Sequence, residues 1–436
     1  MVDFPHPYGF SDLPQAKLIR DFLRRLESLC VFFLLFHFSG AVLALFFTDP
    51  TILGYEAPLI RALWYPSYFL ILILSLKNLP RIMRLVAFNP LLVLCVLWCA
   101  VSVSWSILPD ISFRRAIALL ITTLFGFFLA AQYDWNGLIQ RIAVIFLFLA
   151  IISLGIVIVV PEYGIMPEVH VGAWRGAWTE KNSMGGTMSK GVIVCLCAFA
   201  MQPKRGWLWV SGAILCFGLV IMSTSKTALL IALFGILGFI VIRIYRRFPI
   251  FRLPLFYTGL MVVAVFIALM LSIPDDMLAL IGKERTLTGR TDIWTGLIES
   301  IRNRPLLGYG YAVYWWDPIG PSYYVRLVLE WGIPSAHNGW IETWLSAGFI
   351  AVIMFSILFL MTLWLAISRL KKGGTEAYWV ILSMIMFLMF SMSESTILQQ
   401  NDLSWVLFVA TCAKLFAFER PYFRNRKSEP YFGRHI

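Results

Sequence analysis

Twelve apolar runs, each close to the length of a membrane span, constrain this chain more than any other feature. They fall near 29–47, 59–76, 85–105, 114–131, 138–160, 183–201, 207–222, 227–244, 254–273, 346–368, 378–392 and 403–418. A helix needs about 20 apolar residues to cross a bilayer, so twelve would use roughly 240 positions of the chain. Hydrophobic residues make up 60% of the sequence and charged ones 14%, against about 25% charged in a soluble domain. A water-soluble fold could not bury that much apolar surface, and disorder is excluded by the same surplus. Only helices and closed barrels satisfy their backbone in lipid, and no alternating ten-residue barrel pattern occurs. The sequence therefore predicts an all-α polytopic membrane protein of about twelve transmembrane helices.

The formal charge of +12 suggests nucleic acid until its placement is considered. Lys and Arg concentrate on cytoplasmic connections of membrane proteins. One alternate set of segments holds Lys17, Arg20, Arg24 and Arg25, then Lys77, Arg81 and Arg84, then Lys204 and Arg205. The same set continues with Arg243, Arg246, Arg247 and Arg252, with Arg369, Lys371 and Lys372, and with six cations between Lys414 and Arg434. Together these are 22 of the 36 basic residues. Both termini are expected in the cytoplasm, with no nucleic-acid partner. The expected layout is a cytoplasmic tail over 1–28, nine spans over 29–273, a periplasmic loop domain over 274–345, three spans over 346–418 and a second cytoplasmic tail over 419–436. The loop is rich in Trp, Tyr, Gly and Pro, and is expected to pack as a cap. Seven cysteines, all within apolar runs and none in a C-x-x-C pair, read as small buried hydrophobes. The long polar start does not fit a signal peptide, so the first span is expected to act as an uncleaved anchor.

Four polar clusters fall on the side opposite most of the charge. Trp174 to Asn182 contains Arg175, Gly176, Lys181 and Asn182; it reads either as an interfacial aromatic loop with a snorkelling lysine or as an anion site. Ser223 to Thr227 surrounds Lys226 with hydroxyls at a helix start, which suits a phosphate or simple N-capping. In the third, Thr288-Gly289-Arg290 opens a helix whose Ile293, Trp294, Leu297, Ile298 and Ile301 follow helical spacing. Arg290 could fork onto phosphate oxygens or pair with Asp292 or Glu284. In the fourth, Ser335 is expected to cap a helix with His337 in its first turn and with Asn338 and Glu342 one turn apart. Histidine moves protons near neutral pH, although a lone interfacial histidine is more often structural. No H-x-x-x-H, D-x-D, P-loop, Rossmann glycine fingerprint or G-x-S-x-G is present. Cations, amides and one histidine over lipid call for an anionic lipid-linked substrate handled without metal or cofactor.

The residues resemble a known family. His337-Asn338-Gly339-Trp340-Ile341-Glu342 followed by Gly348-Phe349-Ile350 is similar to the H-N-x-x-x-E…G signature of the O-antigen ligase and Wzy polymerase superfamily. Gly176 with Lys181-Asn182, Thr288-Gly289-Arg290 through Trp294, and Pro305-Leu306-Leu307-Gly308-Tyr309-Gly310 resemble further elements of it in the right order. Trp105-Ser106 with Pro109 and Arg114 matches a habit near the fourth span. The resemblance runs from about 85 to 405 and lies nearest to ExoQ-type exopolysaccharide production proteins.

That resemblance implies a GT-C-like, metal-independent glycosyltransferase of the bacterial inner membrane, working at the periplasmic face on glycan carried by undecaprenyl pyrophosphate. The glycan would pass to a lipid A core sugar in a ligase, or to another lipid-linked repeat unit in a polymerase. By position, His337 and Arg290 would be catalytic, His337 as base or acceptor-orienting group and Arg290 on the pyrophosphate. Arg175, Lys181, Asn182, Lys226, Asn338, Glu342, Trp294 and Arg114 would bind substrate. Ligases commonly carry Arg where this chain has Lys226, which loses the bidentate geometry. Inversion at the anomeric carbon is expected from a single displacement. A lipid-linked-sugar transporter or flippase, or a non-catalytic partner of other polysaccharide assembly and export proteins, would be the alternatives; few charges lie inside the spans, which counts against a relay.

Overall fold

The computed structural model describes residues 14–41, 58–167, 170–254, 257, 261, 290–316, 320–329 and 335–418. The helices are α1 (Pro14–Phe38), α2 (Pro58–Lys77), α3 (Leu79–Phe88), α4 (Pro90–Val101), α5 (Pro109–Gln132), α6 (Trp135–Val159) and α7 (Lys181–Met201). They continue with α8 (Gly206–Met222), α9 (Lys226–Arg247), α10 (Arg290–Asn303), α11 (Tyr323–Leu329), α12 (Gly339–Lys372), α13 (Glu376–Ser391) and α14 (Leu403–Phe418). Prolines open several of them, including Pro90 and Pro109, where the missing N–H would have no helical partner anyway.

Among the described residues six helices are long and apolar enough to cross a membrane, and α3 with α4 makes a seventh if that bent pair is one span. This is a polytopic helical membrane protein. The run expected near 85–105 is broken at Asn89 and Pro90, where the pair bends by 93°. Helix α1 starts at Pro14, inside what the sequence suggested was a tail over 1–28. The run near 254–273 lies outside the described residues apart from 254, 257 and 261.

Connections alternate between two ends of the bundle, as successive spans require. At one end Glu27 accepts from Lys77, Asn78 donates to Gln132, and Lys414 donates to the Tyr133 carbonyl. At the other, the Trp178 indole donates to the Ser39 carbonyl, Trp174 N to the Met222 carbonyl, and the Ser112 hydroxyl to the Tyr311 carbonyl. Helix α7 packs among α6, α8, α9 and α13. Its glycines allow that: a Cβ at Gly191 would sit 2.8 Å from Cys216 Sγ. In lipid such contacts are held by van der Waals packing of small residues rather than by escape from water.

Helix α12 is interrupted at Gly348, with φ 78° and ψ 178°. A break inside a span frees backbone groups that lipid cannot satisfy. Here four of the backbone groups around the break find partners outside the helix. The carbonyls of Leu345 and Ser346 accept from Tyr309 N and Gly310 N at 2.8 and 3.0 Å. The Ala347 carbonyl accepts from the Trp98 indole at 2.9 Å, and Phe349 N donates to the Pro305 carbonyl at 2.9 Å. The Pro305–Gly310 segment therefore docks along the break by its main chain.

Beside this seam a second, smaller core forms from Ile293, Leu297, Tyr309, Tyr314, Trp315, Val325, Ala336 and Leu345. All of its members lie between 293 and 345. Helix α10 turns Ile293 and Leu297 into it while Ile298 stays exposed, so the periodic apolar face buries against protein.

Candidate functional site

The site is built where the cap meets the loops at one end of the bundle. Asn338, not Ser335, caps α12: its Oδ1 accepts from Trp340 N and Ile341 N at 2.9 and 3.2 Å. An Asn three residues nearer the helix outcompetes the serine because its carbonyl reaches both orphan N–H groups. The Ser335 hydroxyl accepts from His337 N at 3.4 Å instead. His337 consequently stands outside the helix, in the left-handed region with φ 47°, and not in the first turn.

His337 is held from three sides. The Glu342 carboxylate accepts from Ala336 N at 3.0 Å and from the Trp315 indole, which reaches both oxygens at 3.0 Å. The Trp294 indole donates to the Ala336 carbonyl at 3.0 Å. Glu342 and Trp294, both singled out in the sequence for substrate binding, thus fix the loop that presents His337. The His337 Nδ1 is buried without a hydrogen-bond partner among the described residues and lies 3.6 Å from Glu394 Oε2. That is longer than a hydrogen bond, but catalytic contacts often tighten only when substrate arrives.

Glu394 was not among the sequence candidates. It sits in the polar stretch 392–402, whose signal was a Ser-, Gln- and acid-rich interruption between two apolar runs. The stretch is anchored by Tyr311, whose hydroxyl donates to the Leu398 carbonyl and contacts Gln400 Oε1, both at 2.6 Å. Burial pushes the Tyr311 hydroxyl well above its ordinary pKa. Behind Glu394 stands Lys190 on α7, whose Nζ donates to Ser404 Oγ at 2.5 Å and lies 4.4 Å from the Phe390 ring centre. Its charge acts on both Asp402 and Glu394. Burial pushes the Asp402 carboxyl up, while Lys190 and the N–H of Trp405 hold it down. A lone lysine within an apolar run was the available signal for this intramembrane charge.

The remaining cations divide. Lys181 begins α7, is buried, and donates to Thr224 Oγ1 at 3.3 Å; the Lys226 charge also reaches it. Lys226 begins α9, behind Ser225 as N-cap, so two cations and the Thr224 hydroxyl share two adjacent helix N-termini. Asn182 is exposed on the first turn of α7. Arg175 is taken up by backbone, donating to the carbonyls of Tyr163 and Glu162 at 2.8 and 3.2 Å. Arg114 is exposed and borders a cavity with Arg61 and Arg115. Arg290 starts α10; its side chain, and so the phosphate clamp expected of it, lies outside the described residues.

Residues 211–356 match the family model described as O-Antigen ligase. The chain is 25% identical over 339 residues to the exopolysaccharide production protein ExoQ of Rhizobium meliloti (strain 1021), covering 73% of this chain and 75% of that relative. A solved chain from work titled "Structural coordination of polymerization and crosslinking by a peptidoglycan synthase complex" aligns over 79% of this chain and 98% of its own, at 15% identity and a TM-score of 0.41.

Proposed function

We propose, from a chain that belongs to the O-antigen ligase family and so to polysaccharide biosynthesis, that it is a glycosyltransferase polymerising exopolysaccharide repeat units from undecaprenyl pyrophosphate. The observation that carries this reading is His337 held in a left-handed turn with its Nδ1 facing the Glu394 carboxylate at 3.6 Å. A base with an orienting carboxylate behind it is the arrangement that activates a hydroxyl.

In the proposed step, the acceptor hydroxyl oxygen attacks the anomeric carbon of the donor sugar as its proton passes to His337. The bond from that carbon to the pyrophosphate oxygen breaks, and its electron pair leaves with undecaprenyl pyrophosphate. A single displacement inverts the anomeric centre. Lys181 and Lys226, with Arg290 at the start of α10, neutralise the leaving pyrophosphate. Fixed cations of this kind stabilise the charge that develops and can stand in for a metal. The His337 end faces the periplasm and both termini the cytoplasm on this reading, which is supported by the alternation of Lys and Arg along the sequence.

The test is transfer of labelled glycan between lipid-linked units by the purified protein, without ATP or added metal. Product lengthening with release of undecaprenyl pyrophosphate is expected, and its loss in His337→Ala. Full output from His337→Ala at normal protein level would overturn the assignment. Appearance of glycan on a lipid A core acceptor alone would replace polymerase by ligase.

A further inference from the structure

The first two turns of α2 and α5 bring Arg61, Arg114 and Arg115 to one cavity of about 460 Å³, which neither Lys181 nor Lys226 lines. No Asp or Glu is among the described residues that line it. Arg115 also donates to the Ala312 carbonyl and stacks 4.7 Å from the Trp316 ring centre, and Arg114 Nε donates to the Asp110 carbonyl at 3.3 Å. Arg61 Nε is buried and meets no acceptor among the described residues. A buried charged donor left unmatched is costly, and Arg61 and Arg114 on one cavity with no carboxylate among its described lining residues favour an anion there. The opposite wall supplies Gln399, Gln400 and Asn401, the amides that suit sugar hydroxyls.

The mouth of the cavity says what kind of anion fits. Tyr65 and Ile117 line it and are also 64% and 38% exposed. From Tyr65 an exposed apolar stripe continues down α2 through Phe69, Leu72 and Leu76; Phe113, Ile117 and Leu120 make another on α5. These spacings each follow one helix face, and α2 packs against α5. A polar, cationic chamber opening between two lipid-facing stripes matches a molecule with a phosphate head and a long apolar tail.

We infer that this cavity is a second phosphate-lipid site, entered sideways from the bilayer, in which Arg61 and Arg114 hold the phosphate of the lipid that carries the acceptor glycan. Gln399 borders both this cavity and the small chamber containing Glu342, and its loop carries Glu394. A glycan seated on the arginines therefore extends toward His337. The acceptor role rests on the transferase reading above; the binding of a phosphate-headed lipid does not.

The experiment titrates tritiated undecaprenyl phosphate into the full-length protein in phosphatidylcholine nanodiscs. Two bound lipids per chain are expected, falling to one in Arg61→Ala/Arg114→Ala and to one in Lys181→Ala/Lys226→Ala. Undecaprenol, without phosphate, should not compete. If phosphatidylglycerol displaces the arginine-dependent lipid, the site takes phosphate lipids in general; if it does not, the site selects the polyprenyl carrier. A count unchanged in Arg61→Ala/Arg114→Ala, or equal competition by undecaprenol, overturns the inference. Failure of the donor assignment looks different: one lipid binds the parent and none the double arginine variant. Should that variant misfold by thermal unfolding, a photoactivatable undecaprenyl phosphate on the parent protein must label the Tyr65 peptide, and labelling elsewhere only would overturn the site.

Discussion

The Trp315 indole N–H is shared between both carboxylate oxygens of Glu342, at 3.0 Å each. This contact ties the cap to the first turn of α12 and sets where His337 stands. Glu342→Gln removes one of the two matched oxygens, and Trp315→Phe removes the donor. A catalytic group misplaced by about 1 Å loses on the order of 100-fold in rate, so each variant should lower transfer by about 10–100-fold with little change in donor binding. The double variant should be no worse than the poorer single one; additive losses in transfer assays would separate the two residues.

Glu394→Gln keeps the size of the side chain and removes the charge facing His337. Transfer should fall by about 10–100-fold, the range for general acid–base contributions, while expression and melting temperature stay near the parent's. Glu394→Asp should recover part of the loss. Parental rates in Glu394→Gln would make the carboxylate a bystander.

A Cβ at Gly348 would meet the Leu306 carbonyl oxygen at 1.9 Å, in a backbone conformation with φ 78° and ψ 178°. That region is essentially restricted to glycine and costs about 1–3 kcal/mol for other residues before any clash. Gly348→Ala should therefore be among the most damaging small substitutions, at roughly 3–5 kcal/mol. Thermal unfolding in detergent would read it, and a melting temperature within a degree of the parent's would contradict the seam.

Tyr311→Phe leaves the Leu398 carbonyl and the Gln400 amide without their phenolic partner, at a cost of about 1–3 kcal/mol. The pH dependence has a definite sign. The folded-state pKa of Tyr311 is raised by burial, so its contribution is whole below the unfolded tyrosine value of about 10 and fades as pH rises above it. Tyr311→Phe should lose that share of the alkaline destabilisation, measured as a flatter melting temperature above about pH 10.

The long apolar helices among the described residues and the buried Ile293–Leu297 face were legible because apolar runs and helical spacing report burial directly. The break at Asn89–Pro90 was marked by its proline, yet the surrounding run of apolar residues masked it. Histidine placement failed by one turn because Ser335 and Asn338 both make good caps, and only the folded loop decides between them. Glu394, Arg61 and Arg115 were missed for a different reason: each gains meaning from partners far off in the chain, and no local spacing encodes that meeting. Glu342 and Trp294 were read as substrate-binding residues, and in the structure their hydrogen bonds go to the loop itself.

The docking of Pro305–Gly310 along α12 uses the segment's own main chain throughout, with the Trp344 and Trp105 indoles donating to the Pro305 and Leu307 carbonyls at 2.8 and 2.9 Å. Such a join asks nothing of the segment's own side chains except room at Gly308 and Gly310. The outward side chains of Leu306 and Leu307 are thus not what fastens the segment, so substitutions at the exposed Leu306 should leave its attachment to α12 intact.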